Sequence, residues 1–430
     1  MKRKTALAVV ALMSLLLSTH AAERPPRNYD ESKVPPYTLP DPLICNDGRK
    51  VLDAEAWQTK RRPEILEAYR SQMHGRSPAR PPELKFEVTS TDTKALDGLA
   101  TRKEIEILVS GSKDGPVIHM LLYTPNAVPH APAFVGVNFD GNHTIHTDPS
   151  ITICKEWWND AIQKKDFYRE PKAARGKASV QWPVETLLKR GYALATVPRN
   201  DIEPDYPEGW RRGIRGYFLQ KSGKTEFAPD DWGAIGAWAW TLSRALDYLE
   251  TDASVDAKRV AVMGHSRMGK TALWAGAQDE RFALVISNNS GECGAALSRR
   301  WFGEMISEAN EFNPHWFCAN FKQYSNDESK LPFDAHELIA LSAPRPVYVA
   351  SAELDKGADP HGEFLATKAA EPVYRLFGKD GLGVAEMPEV NHPVGSGAMG
   401  YHIRTGKHDV TAFDWEQYLA FADRNLAAVK

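Results

Sequence analysis

The sequence around Ser266 strongly limits how the chain can fold. An apolar run at 260–263 precedes the heptapeptide GHSRMGK (264–270), and residues 271–277 continue as a helical pattern. Glycine, serine and a second glycine between a strand and a helix are typical of a tight turn that lifts the serine hydroxyl clear of a sheet. The backbone N–H beside such a serine lies at a helix start, where negative charge is stabilised. We therefore interpret Ser266 as a candidate nucleophile.

The spacing of the glycines departs from the usual pentapeptide, Gly-x-Ser-x-Gly, because Gly269 comes one residue late. Since short glycine and serine patterns arise by chance, the flanking strand and helix carry the prediction. Arg267 is also unusual, because a cation at a helix start is disfavoured unless an anion faces it. We expect Arg267 to donate to an oxyanion or to hold a substrate oxygen; the alternative is a surface residue packed over the helix start.

Apolar segments alternate with helical patterns along most of the chain, which indicates an α/β protein. Residues 84–91, 101–109 and 117–123 alternate apolar and polar side chains and predict an antiparallel meander at one sheet edge. The parallel region that follows predicts the α/β-hydrolase fold, a three-layer sandwich with a mostly parallel central sheet. Its strands are predicted at 133–138, 193–197, 260–263, 284–287, 346–350 and about 384–387, and its helices at 183–190, 233–249, 268–278, 363–376 and 411–423.

The beginning of the chain divides into a leader and an extension. Residues 1–21 have a basic start, a short apolar run and small residues before a polar stretch, which is the pattern of a secretory signal peptide. Residues 22–83 are rich in proline, with one helical pattern at 63–73, and are too short for a core of their own. We predict an N-terminal extension packed on a catalytic domain at 84–430. The leader predicts a periplasmic or secreted protein; an uncleaved anchor is the alternative.

Composition limits the partners of the chain. Its formal net charge of −3 becomes more negative once the basic residues at positions 2–4 leave with the leader, so nucleic-acid binding is not expected. Four cysteines in an exported chain allow disulfides, and Cys293 with Cys318 is the pair considered. No Cys-x-x-Cys spacing supports a metal or redox site, and we expect neither a metal nor an organic cofactor.

A nucleophilic serine needs a histidine to accept its proton and an acid to orient that histidine. In this fold the acid follows the serine along the chain. Asp355 stands in a loop shortly after the strand predicted at 346–350, which favours it. Glu353 and Asp359, in the same loop, are the alternatives.

The histidine is expected in the loop before the last helix. His408 immediately precedes that helix, whose start at Thr411 and Asp414 resembles a capping box. His392 and His402 are the alternatives, and the position of His408 between the last strand and the last helix favours it.

With these segments together, the chain resembles the bacterial glucuronoyl esterases of carbohydrate esterase family 15. The signature of that family, Gly-x-Ser-Arg-x-Gly-Lys, accounts for the late second glycine. The resemblance runs from about residue 40 to the end of the chain. Beyond the heptapeptide it is carried by NSGECGA (289–295), RRWFGE (299–304), NPHWF (313–317) and YHIRTGKH (401–408).

The resemblance implies an activity and a site. The family hydrolyses esters between 4-O-methyl-glucuronic acid on xylan and the alcohols of lignin, through an acyl-enzyme. By resemblance, Ser266 is the nucleophile, His408 the base and Arg267 a contributor to oxyanion stabilisation.

Three further positions are implied as substrate contacts. Lys270 and Glu304 match positions that hold the hydroxyls of the glucuronoyl ring, and Trp316 falls in a loop lining the same site. Bacterial relatives often have a tryptophan just after the acid, where this chain has Lys356 and Gly357. A sugar-stacking contact is therefore expected to be missing.

The acid is the other departure. Many family members carry it as a glutamate shortly after the strand that follows the nucleophile, and Asn289 stands at the matching position here. An amide cannot be an anionic partner, so the role passes to Asp355, as in other bacterial members. Glu292 is the possible alternative acid.

These observations predict an exported, monomeric serine esterase that acts on glucuronoxylan or lignin–carbohydrate esters, with no nucleic-acid or membrane partner. One alternative is an acetyl-xylan or other carboxylester hydrolase with the same catalytic groups. Another is a catalytically silent carbohydrate-binding protein on the same fold, suggested by Asn289 and Gly357.

Overall fold

In the computed structural model, the alternation of apolar segments and helices produces a single central sheet. The structure describes residues 26–154 and 174–427, and the predicted leader, 1–21, lies outside them. Nine strands of the described chain form the sheet. They are β1 Lys85–Ala95, β2 Ala100–Leu108, β3 Val117–Pro125, β4 Ala131–Asn138, β5 Ala193–Pro198, β6 Val255–His265, β7 Leu284–Asn288, β8 Val347–Ala352 and β9 Met399–Arg404.

Most of the helices lie between strands, as the sequence predicts. The helix predicted at 63–73 is α-helical over Arg62–Tyr69 and continues as π-helix at both ends. The α-helices are α1 Ala54–Ala56, α2 Arg62–Tyr69, α3 Val184–Lys189, α4 Arg199–Ile202, α5 Ile214–Lys221, α6 Ala234–Leu249, α7 Arg267–Gln278, α8 Ile306–Phe312, α9 Ala335–Ala340, α10 Pro360–Leu376 and α11 Ala412–Asn425.

The sheet begins antiparallel and becomes parallel, which confirms the predicted α/β-hydrolase fold. The strand order is β1-β2-β3-β5-β4-β6-β7-β8-β9. Strands β1 to β3 form the antiparallel meander, and the other six strands, β4 to β9, run parallel to one another. In register, His265 at the end of β6 faces Asn288 of β7, and Asn288 faces Ala350 of β8. Ligands of open α/β sheets bind beyond the carboxyl ends of the strands. The loops after β6, β7 and β8 therefore meet at one edge.

Side chains of β6 alternate between two hydrophobic clusters, one on each face of the sheet. Val260 and Val262 join the cluster that contains Trp238 and Trp274. Ala261 and Met263 join the other cluster, beneath α3 and α11. Burial on both faces explains why this strand is an almost continuous apolar run in sequence.

The N-terminal residues contribute directly to the first of these clusters. Ile65 and Tyr69 of α2 are buried in it. Arg61, also buried, donates to Glu337 at 2.7 Å, and Arg62 donates to the Ala277 carbonyl at 2.8 Å. Buried arginines are stable only when their donors are paired, so these contacts fix the start of α2 on α9 and α7.

Two expectations were wrong. The last strand is not at 384–387 but at Met399–Arg404. This segment contains a histidine and an arginine, which are more typical of a loop than of a buried strand. Both polar side chains are buried and bonded to Asp414, which lets them lie inside a strand. All four cysteines lie within the described residues and are thiols, not disulfides. The Cys293 thiol lies 3.5 Å from Glu292 and the Cys318 thiol 3.9 Å from the Ser71 carbonyl, so the pair considered does not form.

Candidate active site

Ser266 occupies a strained turn between β6 and α7. Its backbone has φ 58° and ψ −129°, a combination that costs a non-glycine residue on the order of 1–3 kcal/mol. The Ser266 N–H donates to the Asn288 carbonyl at 2.9 Å, which ties the turn to the end of β7. Such strain persists only where surrounding contacts impose it, and it commonly marks a functional position.

Close packing explains the unusual position of the second glycine. A Cβ on Gly264 would lie 1.8 Å from the Met268 carbonyl oxygen, so the end of β6 and the first turn of α7 touch through backbone alone. A Cβ on Gly269 would lie 2.9 Å from the Ser290 Cβ. Gly269 is needed where the helix passes the loop after β7, one residue later than in the common pentapeptide.

His408 and Asp355 meet at this edge of the sheet. The His408 Nδ1 lies 2.6 Å from Asp355 Oδ2, and Asn289 Nδ2 donates to the same oxygen at 2.9 Å. Burial alone would raise the pKa of Asp355, but the hydrogen bond from His408 and that from Asn289 hold it below its usual range. An ionised Asp355 accepts a hydrogen bond from the Nδ1–H of His408 and leaves His408 Nε2 free to act as a base.

The same pair lies directly beside the strained turn. The His408 ring packs on the ring of His265, the residue before Ser266, with 4.4 Å between ring centroids. His265 Nδ1 also lies 2.6 Å from Asn288 Oδ1. Burial, followed by the neighbouring His408, lowers the pKa of His265 to about 4, so this ring is neutral at neutral pH.

Arg404 holds the loop that carries His408. Its Nη2 donates to the carbonyls of Lys407 at 3.1 Å and Asp409 at 2.5 Å, one on each side of the histidine. Its Nε donates to Asp414 at 2.6 Å. Asp414 also completes the predicted capping box of α11, which the structure confirms. A buried ion pair thus fixes both the loop and the helix that follows it.

The alternative acids have other partners. Glu292 accepts from the Ser298 hydroxyl at 2.5 Å, and burial raises its pKa to about 8, which favours the uncharged form. Asp359 pairs with Arg300 at 2.8 Å and caps α10. The N–H of Glu353 donates to a backbone carbonyl of β9.

The alternative histidines lie away from Asp355. His402 is fully buried in β9, where its Nε2 bonds to Asp414 at 2.9 Å. His392 is largely exposed and lies 3.1 Å from the Val390 carbonyl oxygen. Of the three candidates, the structure brings only His408 to the acid loop and the serine turn.

Arg267 leaves the first turn of α7 and is held by a network of polar and aromatic contacts. Its guanidinium forms an ion pair with Asp205 and lies 4.9 Å from the centroid of the Trp316 ring. Within the described residues, its Nε–H finds no acceptor. The anion that a cation requires at a helix start is therefore a protein carboxylate, Asp205.

Asp205 is the site residue that sequence reasoning missed. It lies in the loop after β5, and its side chain is almost fully buried. It accepts from Arg199 Nη1 at 3.0 Å and from Trp316 Nε1 at 2.8 Å, and His315 Nε2 lies at 2.8 Å. Burial would raise its pKa, but Arg199 and these hydrogen bonds hold it far below its usual range. The loop at 198–207 was an available signal, because loops after parallel strands form site walls.

Lys270 joins the same cluster, whereas Glu304 lies on a neighbouring turn. The buried Lys270 ammonium donates to the Ser290 carbonyl and lies 5.8 Å from the Trp316 ring centroid. The side chain of Glu304 is half exposed. Its N–H donates to the Gly357 carbonyl at 2.9 Å, two residues after Asp355. The structure therefore brings Arg267, Lys270 and Trp316 into contact and places Glu304 beside the acid loop.

Two searches of the described residues bear on ligands and location. In 26–154 and 174–427, no three or more His, Cys, Asp or Glu side chains are grouped so that they could hold a metal ion. Across those same ranges, every helix is too short or too polar to cross a membrane.

Fold and site together define an α/β-hydrolase with a serine on a strained turn beside a histidine–aspartate pair. A family profile described as fungal glucuronyl esterase matches residues 215–378. A solved structure of a glucuronoyl esterase from Solibacter usitatus is 51% identical, with a TM-score of 0.87 over 92% of this chain and 99% of that one.

Two further proteins are similar over most of their lengths. A structure described as a promiscuous CE15 esterase from the marine bacterial metagenome is 48% identical, with a TM-score of 0.86 over 93% of this chain and 100% of that one. A 4-O-methyl-glucuronoyl methylesterase from Schizophyllum commune is 30% identical over 80% of this chain and 74% of that protein. The chain belongs to the glucuronoyl esterases of carbohydrate esterase family 15.

Proposed function

We propose that the chain is a serine esterase that hydrolyses esters of 4-O-methyl-glucuronic acid, including those that join xylan to lignin alcohols. The observation that carries the proposal is the strained Ser266 turn beside the His408–Asp355 pair. The names of the relatives, glucuronoyl esterase and 4-O-methyl-glucuronoyl methylesterase, support the substrate class.

Acylation begins at Ser266. His408 Nε2 accepts the hydroxyl proton as Ser266 Oγ bonds to the ester carbonyl carbon, and the carbonyl oxygen becomes an oxyanion. Asp355 keeps the other ring proton on Nδ1 and stabilises the imidazolium that forms. His408 then gives its proton to the departing alcohol as the carbon–oxygen ester bond breaks.

Arg267 stabilises the oxyanion. Its backbone N–H is at the start of α7, where no intrahelical acceptor exists, and its guanidinium is fixed by Asp205 and Trp316. In the second half of the reaction, His408 takes a proton from water, the hydroxide attacks the acyl carbon, and Ser266 regains its proton from His408. Release of the free uronic acid completes the cycle.

Lys270, Glu304 and Trp316 bind the sugar in this proposal. Lys270 and Glu304 supply a charged donor and a charged acceptor for ring hydroxyls, which are both donors and acceptors. The Trp316 ring forms an apolar wall between Arg267 and Lys270. Uncharged ester substrates without hydroxyls would use only the catalytic groups.

Replacing Ser266 by alanine should abolish turnover of methyl 4-O-methyl-glucuronate while leaving the thermal unfolding temperature near that of the wild type. Asp355→Ala and Glu292→Ala form a matched pair for the acid, and only the first should lose activity. Substantial turnover by Ser266→Ala would refute the nucleophile, and a loss confined to Glu292→Ala would refute the acid.

A broader carboxylester hydrolase is the second candidate, because one similar structure is described as promiscuous. The ratio of kcat/KM for methyl glucuronate to that for p-nitrophenyl acetate separates the two. We expect the uronate ester to be preferred in the wild type and the preference to shrink in Glu304→Ala.

We also propose that residues 1–21 direct export and are removed, and that residues 22–83 pack on a catalytic domain at 84–430 in a monomeric periplasmic or secreted enzyme. Mass measurement of the protein recovered from the periplasm or medium would identify the mature N-terminus. Light scattering would give the oligomeric state.

A further inference from the structure

The segment that begins at Arg27 lies against the turn that carries Glu304. The Gly303 N–H donates to the Asn28 carbonyl at 2.8 Å. The Arg27 Nε donates to both carboxylate oxygens of Glu308 at 2.9 Å each, at the start of α8. The N-terminal segment thus contacts residues that precede and follow Glu304 in the sequence, Gly303 and Glu308.

A second group of contacts fixes the same segment. Arg300 donates from Nη2 to both carboxylate oxygens of Glu31, at 2.7 and 2.8 Å. The Tyr29 ring meets Phe302 edge-on, with centroids 6.2 Å apart. These contacts do not involve Glu304 itself, so they hold the segment in place independently of any ligand.

The Glu304 turn is packed tightly on the acid loop. A Cβ on Gly303 would lie 2.4 Å from the Gly357 carbonyl oxygen, and Gly303 has a φ of 71° that favours glycine. A Cβ on Gly357 would lie 3.6 Å from Arg27 Nη1 and 3.9 Å from Glu304 Cγ. Arg27, Glu304 and the residues after Asp355 therefore border one small region of the surface.

Arg27 and Glu304 face each other without a direct hydrogen bond. Their closest charged atoms, Nη2 and Oε1, are 4.0 Å apart, and the two side chains are 35% and 46% exposed. A hydroxyl group between them could accept from the guanidinium and donate to the carboxylate, with each hydrogen bond about 2.8 Å long. Glu308 fixes the guanidinium through Nε, so little freedom is lost on binding.

We propose that Arg27 is a substrate-binding residue that shares one sugar hydroxyl with Glu304. This inference rests on the proposed function, because it takes Glu304 as a contact of the glucuronoyl ring. It assigns to the N-terminal segment a wall of the sugar site beside Gly357, where Arg27 and Glu304 are the nearest side chains to the glycine. The segment then contributes to specificity and not to the chemical step.

Steady-state kinetics of the full chain test the assignment. Arg27→Ala should raise KM for methyl 4-O-methyl-glucuronate about tenfold, the effect of one hydrogen bond to a charged group, with kcat little changed. Turnover of p-nitrophenyl acetate should be unaltered, because that ester has no hydroxyl. Arg27→Lys, which keeps the charge, should recover part of the loss.

A double-mutant cycle with Glu304 sharpens the test. If the two residues share one hydroxyl, Arg27→Ala in a Glu304→Ala background should cost less than about twofold, because the shared contact is already gone. Glu31→Gln loosens the same segment at its Arg300 contact and is the matched control. It should lower the unfolding temperature slightly and leave KM unchanged.

Three outcomes would overturn the assignment of Arg27 and leave the proposed function intact. They are an unchanged KM for methyl glucuronate in Arg27→Ala, an equal loss of kcat/KM on both substrates, or effects on KM that multiply in the double variant. A KM effect in Glu31→Gln equal to that in Arg27→Ala would also overturn it, by showing a structural role. If the wild type does not turn over methyl glucuronate at all, the proposed function fails, and this assignment fails with it.

Discussion

Asp205 is a single residue on which two sides of the site depend. Two arginines, one histidine and one tryptophan converge on its carboxylate, and two of these, Arg267 and Trp316, lie against each other, 4.9 Å from guanidinium to ring centroid. Breaking a buried ion pair by removing one partner is strongly destabilising, because the other charge is left uncompensated. In the proposed mechanism, Asp205 therefore acts on the oxyanion through Arg267 and on the sugar wall through Trp316.

Replacing Asp205 by asparagine should lower kcat for methyl glucuronate about 10- to 100-fold, less than the roughly 100- to 1,000-fold that follows outright loss of one oxyanion-hole donor. The amide oxygen can still accept from Trp316, so KM should change less than kcat. Asp201→Asn is the matched control, since Asp201 is a buried carboxylate of the preceding helix, α4, that lies 2.8 Å from His119. A wild-type kcat in Asp205→Asn, with the fold confirmed by its unfolding temperature, would contradict this role.

Strand β9 shows how a structural element can position His408, the proposed base. Arg404 lies at the end of β9 and is bonded to Asp414 of α11, and it holds the loop between them through carbonyls on both sides of His408. Lysine at this position keeps the charge but lacks the planar fork that reaches several acceptors at once.

Arg404→Lys should therefore lower kcat about tenfold or more with little change in KM, because a misplacement of about 1 Å can cost a rate factor near 100. Arg345 is a matched control, because it also donates to several backbone carbonyls, including those of Gly276 and Phe282. Arg345→Lys should lower the unfolding temperature and leave kcat unchanged. Hydrogen exchange of residues 405–409 should increase in Arg404→Lys alone, and equal kcat in the two variants would disprove the positioning role.

Helices and strands with a clear pattern of apolar residues were predictable from sequence, whereas the strand that contains buried polar residues was not. β6 is an apolar run followed by Gly264 and Ser266, so its position and its turn were both evident. The position of β9 was wrongly predicted because His402 and Arg404 break the apolar pattern of a buried strand. Their partner, Asp414, belongs to α11, so the sequence of the strand alone does not show that these side chains can be buried.

The same limit applies to the site. His408 and Asp355 could be proposed from chain order, because the fold fixes where an acid and a histidine can follow a serine. Asp205 precedes the serine in the chain and lies in the loop after a different strand, β5. No sequence spacing therefore connects it with Arg267 or Trp316. Arg27 is still further away, and only the folded chain brings it to Glu304.

At the scale of the whole molecule, buried carboxyl groups link stability to pH. Burial raises the pKa of Glu292, Glu337 and Glu363 to about 8 and that of Glu328 to about 7. The folded state thus binds more protons than the unfolded state, whose glutamates have pKa values near 4.5. The stability that each group contributes is complete below pH 4.5 and is lost as the pH rises through 7 to 8.

Buried histidines act in the opposite direction over a lower range. Burial lowers the pKa of His74 to about 3, and burial with the neighbouring His408 lowers that of His265 to about 4. Protonation therefore favours the unfolded state, and the stability lost to these groups in acid is regained as the pH rises to their ordinary value of 6.5. Above pH 6.5 this gain ends, and the loss from the carboxyl groups continues to pH 8.

The free energy of unfolding should therefore fall between pH 6.5 and 8, with each buried carboxyl contributing up to about 1.4 kcal/mol per pH unit. Glu363→Gln should make this decline shallower. The amide resembles the protonated acid and can keep the contacts that Glu363 makes with the Gly291 N–H at 2.9 Å and the Ser351 hydroxyl at 2.6 Å. Glu389→Gln, at a largely exposed side chain, should leave the decline unchanged. Thermal and urea unfolding at constant ionic strength from pH 6 to 8.5 measure the slope, and an identical slope in Glu363→Gln and the wild type would show that Glu363 stays ionised in the folded chain.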